Sequence, residues 1–150
     1  MKRPRLLAIA SGGGHWKELV RLAPLFDEYE TTYVTTEPGF QRDVPGARFK
    51  TVTEASRWDK LLLLKSALEV TWILLRERPR VVITTGAAPG WFALYLAKKM
   101  GAKTVWIDSF ANGDKLSLSG EKAGKYADLW LTQWPELARP DGPEYAGSVL

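Results

Sequence analysis

Leu6-Leu7-Ala8-Ile9-Ala10-Ser11-Gly12-Gly13-Gly14-His15 is the stretch on which the fold turns. Its first five residues are apolar without alternation, which reads as a strand buried on both faces, as in a parallel sheet. From Trp16 to Tyr29 apolar residues recur at helical spacing, so the glycine turn joins a strand to the start of a helix. Exposed N–H groups and the positive end of the helix dipole favour an anion there, and glycine lets it approach the backbone closely. Ser11, Gly12, Gly13 and Gly14 are therefore candidate phosphate-binding residues, with Lys17 adding charge. His15 is the only histidine in the chain, which makes it the candidate for proton transfer near neutral pH. The plainer alternative is a tight turn carrying an incidental histidine.

Spacing narrows the ligand. A dinucleotide fingerprint needs a third small residue three positions after the second glycine, and Lys17 stands three after Gly14. A P-loop fails too, because no Gly-Lys-Ser/Thr follows the turn. Glu37 closes the second predicted strand, where a ribose-binding acid would sit, and this keeps a nucleotide reading open.

Outward from that turn, strand and helix signals alternate, with no internal repeat. Strands are predicted at 31–36, 49–52, 81–85, 103–107 and 128–131. A long helix capped by Ser56 ends at Arg78-Pro79, and a second runs from Trp91 to Met100 with Gly101 as its stop. This is the pattern of an α/β protein with a Rossmann-like, mostly parallel sheet. Length and composition, 150 residues with 45% hydrophobic content, predict a single domain. Three unusual loops follow three strands at their carboxyl ends: SGGGH, TTGAAPG from Thr84 to Gly90, and Asp108-Ser109-Phe110-Ala111-Asn112-Gly113. Ligands of open α/β sheets bind outside those ends, so the loops should converge on one crevice. Thr85 and Gly86 would bring a second helix N-terminus to the anion, while Asp108 would orient His15 or a sugar hydroxyl, or merely cap the next segment.

The chain has no cysteine, which excludes disulfides and thiolate chemistry and agrees with a cytoplasmic setting. No metal-ligand set or cofactor is expected. The formal charge of +4 is scattered in small groups without a nucleic-acid signature, and suits a diphosphate or anionic head groups equally well. The apolar run behind Met1-Lys2-Arg3-Pro4-Arg5 is too short for a signal-peptide core, so export is not expected. The longest apolar stretch, Leu61 to Leu75, is interrupted by Lys65 and Glu69 and is too short to span a bilayer. Its stripe of Leu61, Leu64, Leu68, Trp72 and Leu75 is expected to pack on the sheet, leaving Leu62 and Ile73 on a less buried side. The alternative is that this helix, with Trp58, Lys60, Lys65, Arg76 and Arg78 around it, lies against a membrane surface or a partner.

The ordered set SGGGH, TTGAAPG, WIDSFA, LSLSG, ADLWLTQWPEL and the closing YAGSVL resembles the Alg14 family and its bacterial relatives in capsule and exopolysaccharide synthesis. The resemblance covers residues 6–150. More distantly, the first loop is similar to the N-terminal half of MurG, the peptidoglycan glycosyltransferase. The resemblance implies the N-terminal, acceptor-side half of a split GT-B glycosyltransferase, with the nucleotide-sugar half on a separate chain. The family often has glutamate where this chain has Asp108. Eukaryotic members carry an N-terminal membrane helix that has no counterpart here, so attachment is expected to be peripheral, at the inner face of the membrane.

The same resemblance implies roles for individual residues. A polyprenyl-diphosphate-linked sugar acceptor would set its diphosphate on Ser11, Gly12, Gly13, Gly14, Lys17, Thr85 and Gly86, with Glu37 and Ser109 in the cleft. His15 or Asp108 would take the proton from the acceptor hydroxyl as it attacks a UDP-sugar, such as UDP-GlcNAc, with inversion. Gln133, Trp134, Gly147, Ser148, Val149 and Leu150 would meet the catalytic subunit. The apolar end of the chain needs a cover in any case, from that partner or from its own sheet. A GT-B enzyme uses two such domains, so this chain alone is expected to be inactive. Two further alternatives are a freestanding nucleotide-binding enzyme and a non-catalytic adaptor that recruits the catalytic chain to membranes.

Overall fold

A computed structural model describes residues 2–149. Seven strands form one sheet: β1 (Arg5–Ile9), β2 (Glu30–Thr35), β3 (Arg48–Thr51), β4 (Val81–Thr84), β5 (Lys103–Ile107), β6 (Leu129–Thr132) and β7 (Glu144–Tyr145). All are parallel, in the order β3-β2-β1-β4-β5-β6-β7, with Leu6 opposite both Thr31 and Val81. The expected mostly parallel Rossmann-like sheet is present. Both faces are covered, which is why the central strands are apolar throughout. Along β1, Leu6, Ala8 and then Ala10 join one core with Trp16, Leu19, Phe26 and Tyr33. Leu7 and Ile9 point the other way and join Val70, Ile73, Leu74, Ala93 and Ala97.

Four helices flank the sheet: α1 (Gly14–Arg21), α2 (Lys60–Glu77), α3 (Ala87–Lys99) and α4 (Leu118–Ala123). The helix expected from Trp16 to Tyr29 ends at Arg21 and gives way to a 3-10 turn over Ala23–Phe26. Pro24 is the cause, since it lacks an N–H and its ring clashes with the preceding turn of an α-helix. α3 starts four residues earlier than expected because Pro89 falls in its first turn, where proline is tolerated. α4 and the two-residue β7 were not anticipated. Ser117 caps α4 by accepting a hydrogen bond from Gly120 N at 2.9 Å, but six residues are too few to show a helical period.

Two expectations about α2 fail. Its cap is Asp59, whose carboxylate accepts from Leu62 N at 3.1 Å, and not Ser56. The buried face carries Ser66, Val70, Ile73, Leu74 and Glu77, while the leucine stripe points outward. Polar anchors fix this rotation. Glu69 accepts from Thr53 N at 2.8 Å, and the buried Glu77 binds Arg48 at 2.9 Å. The inward face then meets the alanines of α3, Ala93 and Ala97, where small residues allow close packing.

β5 and β6 are joined beyond their ladder by Asp128. Its carboxylate accepts from Thr104 N at 2.9 Å and pairs with Lys98. The Lys98 ammonium, followed by the Thr104 donors, holds the Asp128 carboxyl below its ordinary range. A lowered folded-state pKa gives stability that is present above the unfolded value and is lost as pH falls through the folded one. Asp128→Asn is therefore expected to cost about 1 kcal/mol at pH 7, discounted for its partial exposure. Urea denaturation across pH should show the gap to the parent chain closing below the carboxylate range.

Candidate functional site

The parallel order sets β1 beside β4, so the helices that follow them, α1 and α3, begin side by side at the carboxyl edge of the sheet. Gly13 (φ 75°) and Gly86 (φ 131°) precede the two helices, and neither helix has a side-chain cap. The convergence is direct. The His15 ring packs on Gly86, where a Cβ would lie 2.9 Å from both Cε1 and Nδ1. His15 and Thr85 are bonded reciprocally: Thr85 Oγ1 donates to the His15 carbonyl at 2.6 Å, and His15 Nδ1 lies 3.0 Å from the Thr85 carbonyl. A carbonyl only accepts, so Nδ1 carries the proton, and in the neutral ring Nε2 is left with a free lone pair.

His15 lines a cleft of about 720 Å³ together with Arg57, Ala88, Asn112, Lys115 and Ser117. A narrower trough of about 270 Å³ continues from it past Arg57, Ala88 and Leu118 to Leu63, Trp91 and Phe92. The cleft carries two cations, Arg57 and Lys115, and one acid, Glu121, which pairs with Arg139 at 3.4 Å, and the trough is mostly apolar with Lys122 at its edge.

Gly13 and Gly14 are exposed beside His15, and Ser11 is half-buried. Gly12 is less free, because its N–H donates to Thr36 Oγ1 at 3.0 Å. Lys17 is exposed but lies outside the cleft lining, and Glu37 is exposed at the end of the β2 loop. Thr85 is buried with its hydroxyl given to the His15 carbonyl, so its side chain anchors the α1 backbone and is not available as an anion donor.

Asp108 does not orient His15. It is buried, and its carboxylate accepts from Trp106 Nε1 at 3.1 Å, Ser117 N at 3.0 Å and Ser117 Oγ at 2.6 Å. It acts as the clamp that positions α4, whose Gly120 packs so closely on this carboxylate that a Cβ would collide with it. Ser109 is likewise turned inward, donating to Glu18 at 2.8 Å.

Gln133 is buried, and its amide donates to Glu18 and, at 3.0 Å, to the Asp108 carbonyl. Its Oε1 accepts from Val149 N at 2.9 Å, while Arg21 donates to the Val149 carbonyl at 3.1 Å. The end of the chain thus folds back on its own body, with Val149 against the core, whereas Gly147 and Ser148 remain exposed. Trp134 is half-buried, stacked on Phe110 at 4.5 Å and bonded to its carbonyl at 2.6 Å. Leu150 lies outside the described residues.

Residues 27–149 match the family described as oligosaccharide biosynthesis protein Alg14 like. The chain belongs to the Alg14-like family. It is 28% identical over 173 residues to UDP-N-acetylglucosamine transferase subunit alg14 of Schizosaccharomyces pombe, covering 96% of this chain and 82% of that protein. The Candida albicans subunit ALG14 is 26% identical, with 97% and 78% covered. Among solved structures, Acinetobacter baumannii MurG superposes with a TM-score of 0.79 at 10% identity, over 98% of this chain and 46% of that one. UDP-N-acetylglucosamine 2-epimerase from Rickettsia bellii gives 0.66 at 11% identity, over 87% and 39%. The chain spans less than half of either of these structures. It has the fold of one Rossmann-like half of a GT-B enzyme.

In this Alg14-like chain three site residues carried no sequence signal. Glu18 looks like an ordinary helix carboxylate beside Lys17, yet it is buried and accepts from Ser109 Oγ, Phe110 N at 2.9 Å and Gln133 Nε2. Arg57 and Lys115 reach the cleft only through the fold, from segments with no distinctive spacing.

Glu18→Ala leaves those donors unpaired in the interior, and urea denaturation should register a loss of about 2–3 kcal/mol. Gly86→Ala adds a Cβ at a left-handed φ and against the imidazole, so about 1–3 kcal/mol of stability should go with it. Because the chain has one histidine, a single set of imidazole NMR signals reports the ring, and these should lose the Nδ1–H pattern in the Gly86→Ala chain.

Proposed function

We propose that this chain is the acceptor-binding subunit of a two-chain inverting glycosyltransferase, a single domain that transfers nothing without its partner. The transfer is of GlcNAc or a related sugar from a UDP-sugar to a polyprenyl-diphosphate-linked saccharide, at the inner face of the membrane. The observation that carries this reading is the His15 imidazole, held by the Thr85 carbonyl at Nδ1 and lining a cleft that also holds Arg57 and Lys115, beside two helix N-termini. The family and the names of the yeast relatives supply the reaction class.

The reaction class comes from the family, and the geometry supports the following roles. The acceptor hydroxyl oxygen attacks the anomeric carbon from the face opposite the UDP, its proton passes to His15 Nε2, and the bond to the UDP oxygen breaks. The diphosphate of the acceptor is met by the amides at the start of α1, the dipoles of α1 and α3, and the cations Arg57 and Lys115. This shifts the expected cation from Lys17 to the two residues that line the cleft. Asp108 then serves as a positioning residue, acting through the Ser117 turn. The catalytic subunit binds the UDP-sugar and closes the open side of the cleft, meeting Trp134, Gly147 and Ser148. Gln133 and Val149 contribute by holding that end of the chain in place.

Co-expression with a candidate catalytic chain and assay with UDP-sugars on polyprenyl-diphosphate acceptors tests the proposal. His15→Ala should lower kcat by about 10²–10⁴-fold, the range for a lost general base, with the two chains still co-purifying. A variant that transfers sugar at the parent rate would leave an adaptor role instead. Tight binding of a nucleotide by the isolated chain would favour a freestanding enzyme.

A further inference from the structure

The outward face of α2 is the largest unexplained surface. Trp58, Leu61, Leu64, Leu68, Trp72 and Leu75 follow at steps of three or four, and every one of them is more than half exposed, with 80% at both Trp58 and Leu61. Residues so spaced share one side of a helix, and from Leu61 to Leu75 the ridge runs about 21 Å at 1.5 Å per residue. The two tryptophans alone present on the order of 300 Å² of apolar surface, and the four leucines carry the ridge past the few hundred Å² that a free monomer ordinarily tolerates.

Its rim is basic. Arg57, Lys60, Lys65 and Arg76 are exposed along the ridge, with the Arg57 guanidinium 4.6 Å from the Trp58 ring centre and that of Arg76 5.6 Å from Trp72. The acids of the same segment face other tasks: Asp59 caps the helix, Glu69 holds Thr53 N, and Glu77 is buried on Arg48. Glu54 is the remaining exposed acid, at the N-terminal end. No described helix is long and apolar enough to cross a membrane, so α2 is suited to lie along a surface.

We propose that α2 docks this chain on an anionic lipid bilayer, with the leucine ridge in the acyl boundary, the tryptophans at head-group depth and the four cations on lipid phosphates. Charge complementarity favours this occupant. An apolar ridge with cations on its rim matches a negative interface, whereas a protein partner would have to supply acids on both flanks; on one flank Leu68 and Trp72 also line a hollow of about 780 Å³ against β3, where Lys50 adds a further cation. Given the function proposed above, the orientation also serves the site. Arg57 belongs both to the ridge and to the cleft, and the apolar trough past Leu63, Trp91 and Phe92 connects the two, so a lipid-borne acceptor would enter from the docked side.

The test is sedimentation of the full chain, alone and with its catalytic subunit, with phosphatidylcholine vesicles with and without phosphatidylglycerol. The parent chain should bind the anionic vesicles, and added salt should weaken binding. Leu64→Glu with Leu68→Glu should reduce partitioning by more than about tenfold, since each leucine inserted contributes several-fold. Both sites are exposed, so the thermal melt should be unchanged. Lys60→Glu with Lys65→Glu should remove the preference for phosphatidylglycerol. Failure to bind vesicles, undiminished binding by the leucine variant, or a dimer in solution that the leucine variant dissolves would overturn the proposal. Transfer to a short water-soluble acceptor separates the two readings: it should survive the leucine substitutions. Vesicle binding without any transfer would sink the enzyme reading and leave the docking surface intact.

Discussion

The contact between His15 and the Thr85-Gly86 peptide is the constraint from which the site follows. It exists because β1 and β4 are neighbours in a parallel sheet, which sets two strand-to-helix turns side by side. Within that frame, the Thr85 hydroxyl anchors the α1 backbone while the Thr85 carbonyl sets the tautomer of the ring. One residue thus places the imidazole and determines which nitrogen is free to take a proton. Gly86 is required by the same contact, since any side chain there would occupy the space of the ring.

Behind that contact lies a second layer of polar residues that does no chemistry. Glu18, one turn along α1 from His15, gathers Ser109, Phe110 N and Gln133, and Gln133 passes the connection on to Val149. A buried carboxylate is tolerable only when its oxygens are satisfied, and here the satisfying donors come from two distant segments, the loop after β5 and the residue after β6. The consequence is geometric. α1, the loop after β5 and, through Gln133, the segment around Val149 are tied to one group, which links the cleft wall to the surface around Trp134.

The strands and the glycine turn were legible because burial on both faces leaves an unbroken apolar run, and because a turn that must approach another backbone admits little but glycine. The choice of buried face on α2 was not legible. Hydrophobicity ranks Leu61, Leu64, Leu68, Trp72 and Leu75 above Ser66, Val70, Ile73 and Leu74, yet the second set is inside. Helix rotation was decided by Glu69 and Glu77, whose partners Thr53 and Arg48 are remote in sequence. Asp108 admits two readings in the sequence for a related reason. A carboxylate at a strand end fits either a reacting group or a clamp, and only the position of Ser117, nine residues later, separates the two.

A cleft walled on one side explains why such a chain would work as half of an enzyme. General-base catalysis needs the acceptor oxygen within hydrogen-bond reach of Nε2 and, on its far side, an anomeric carbon with its leaving group in line. This chain provides an imidazole with an unprotonated Nε2, helix dipoles and the cations Arg57 and Lys115 on one wall. Stabilising a departing nucleotide diphosphate needs a further set of positive dipoles facing the first from across the cleft, and a single parallel sheet presents its helix N-termini along one edge only. The opposing set must come from another sheet. On the proposed function, dividing the enzyme between two polypeptides would permit one half to be shaped for a lipid interface, the role proposed for the outward leucines of α2, while the other is shaped for a soluble nucleotide sugar.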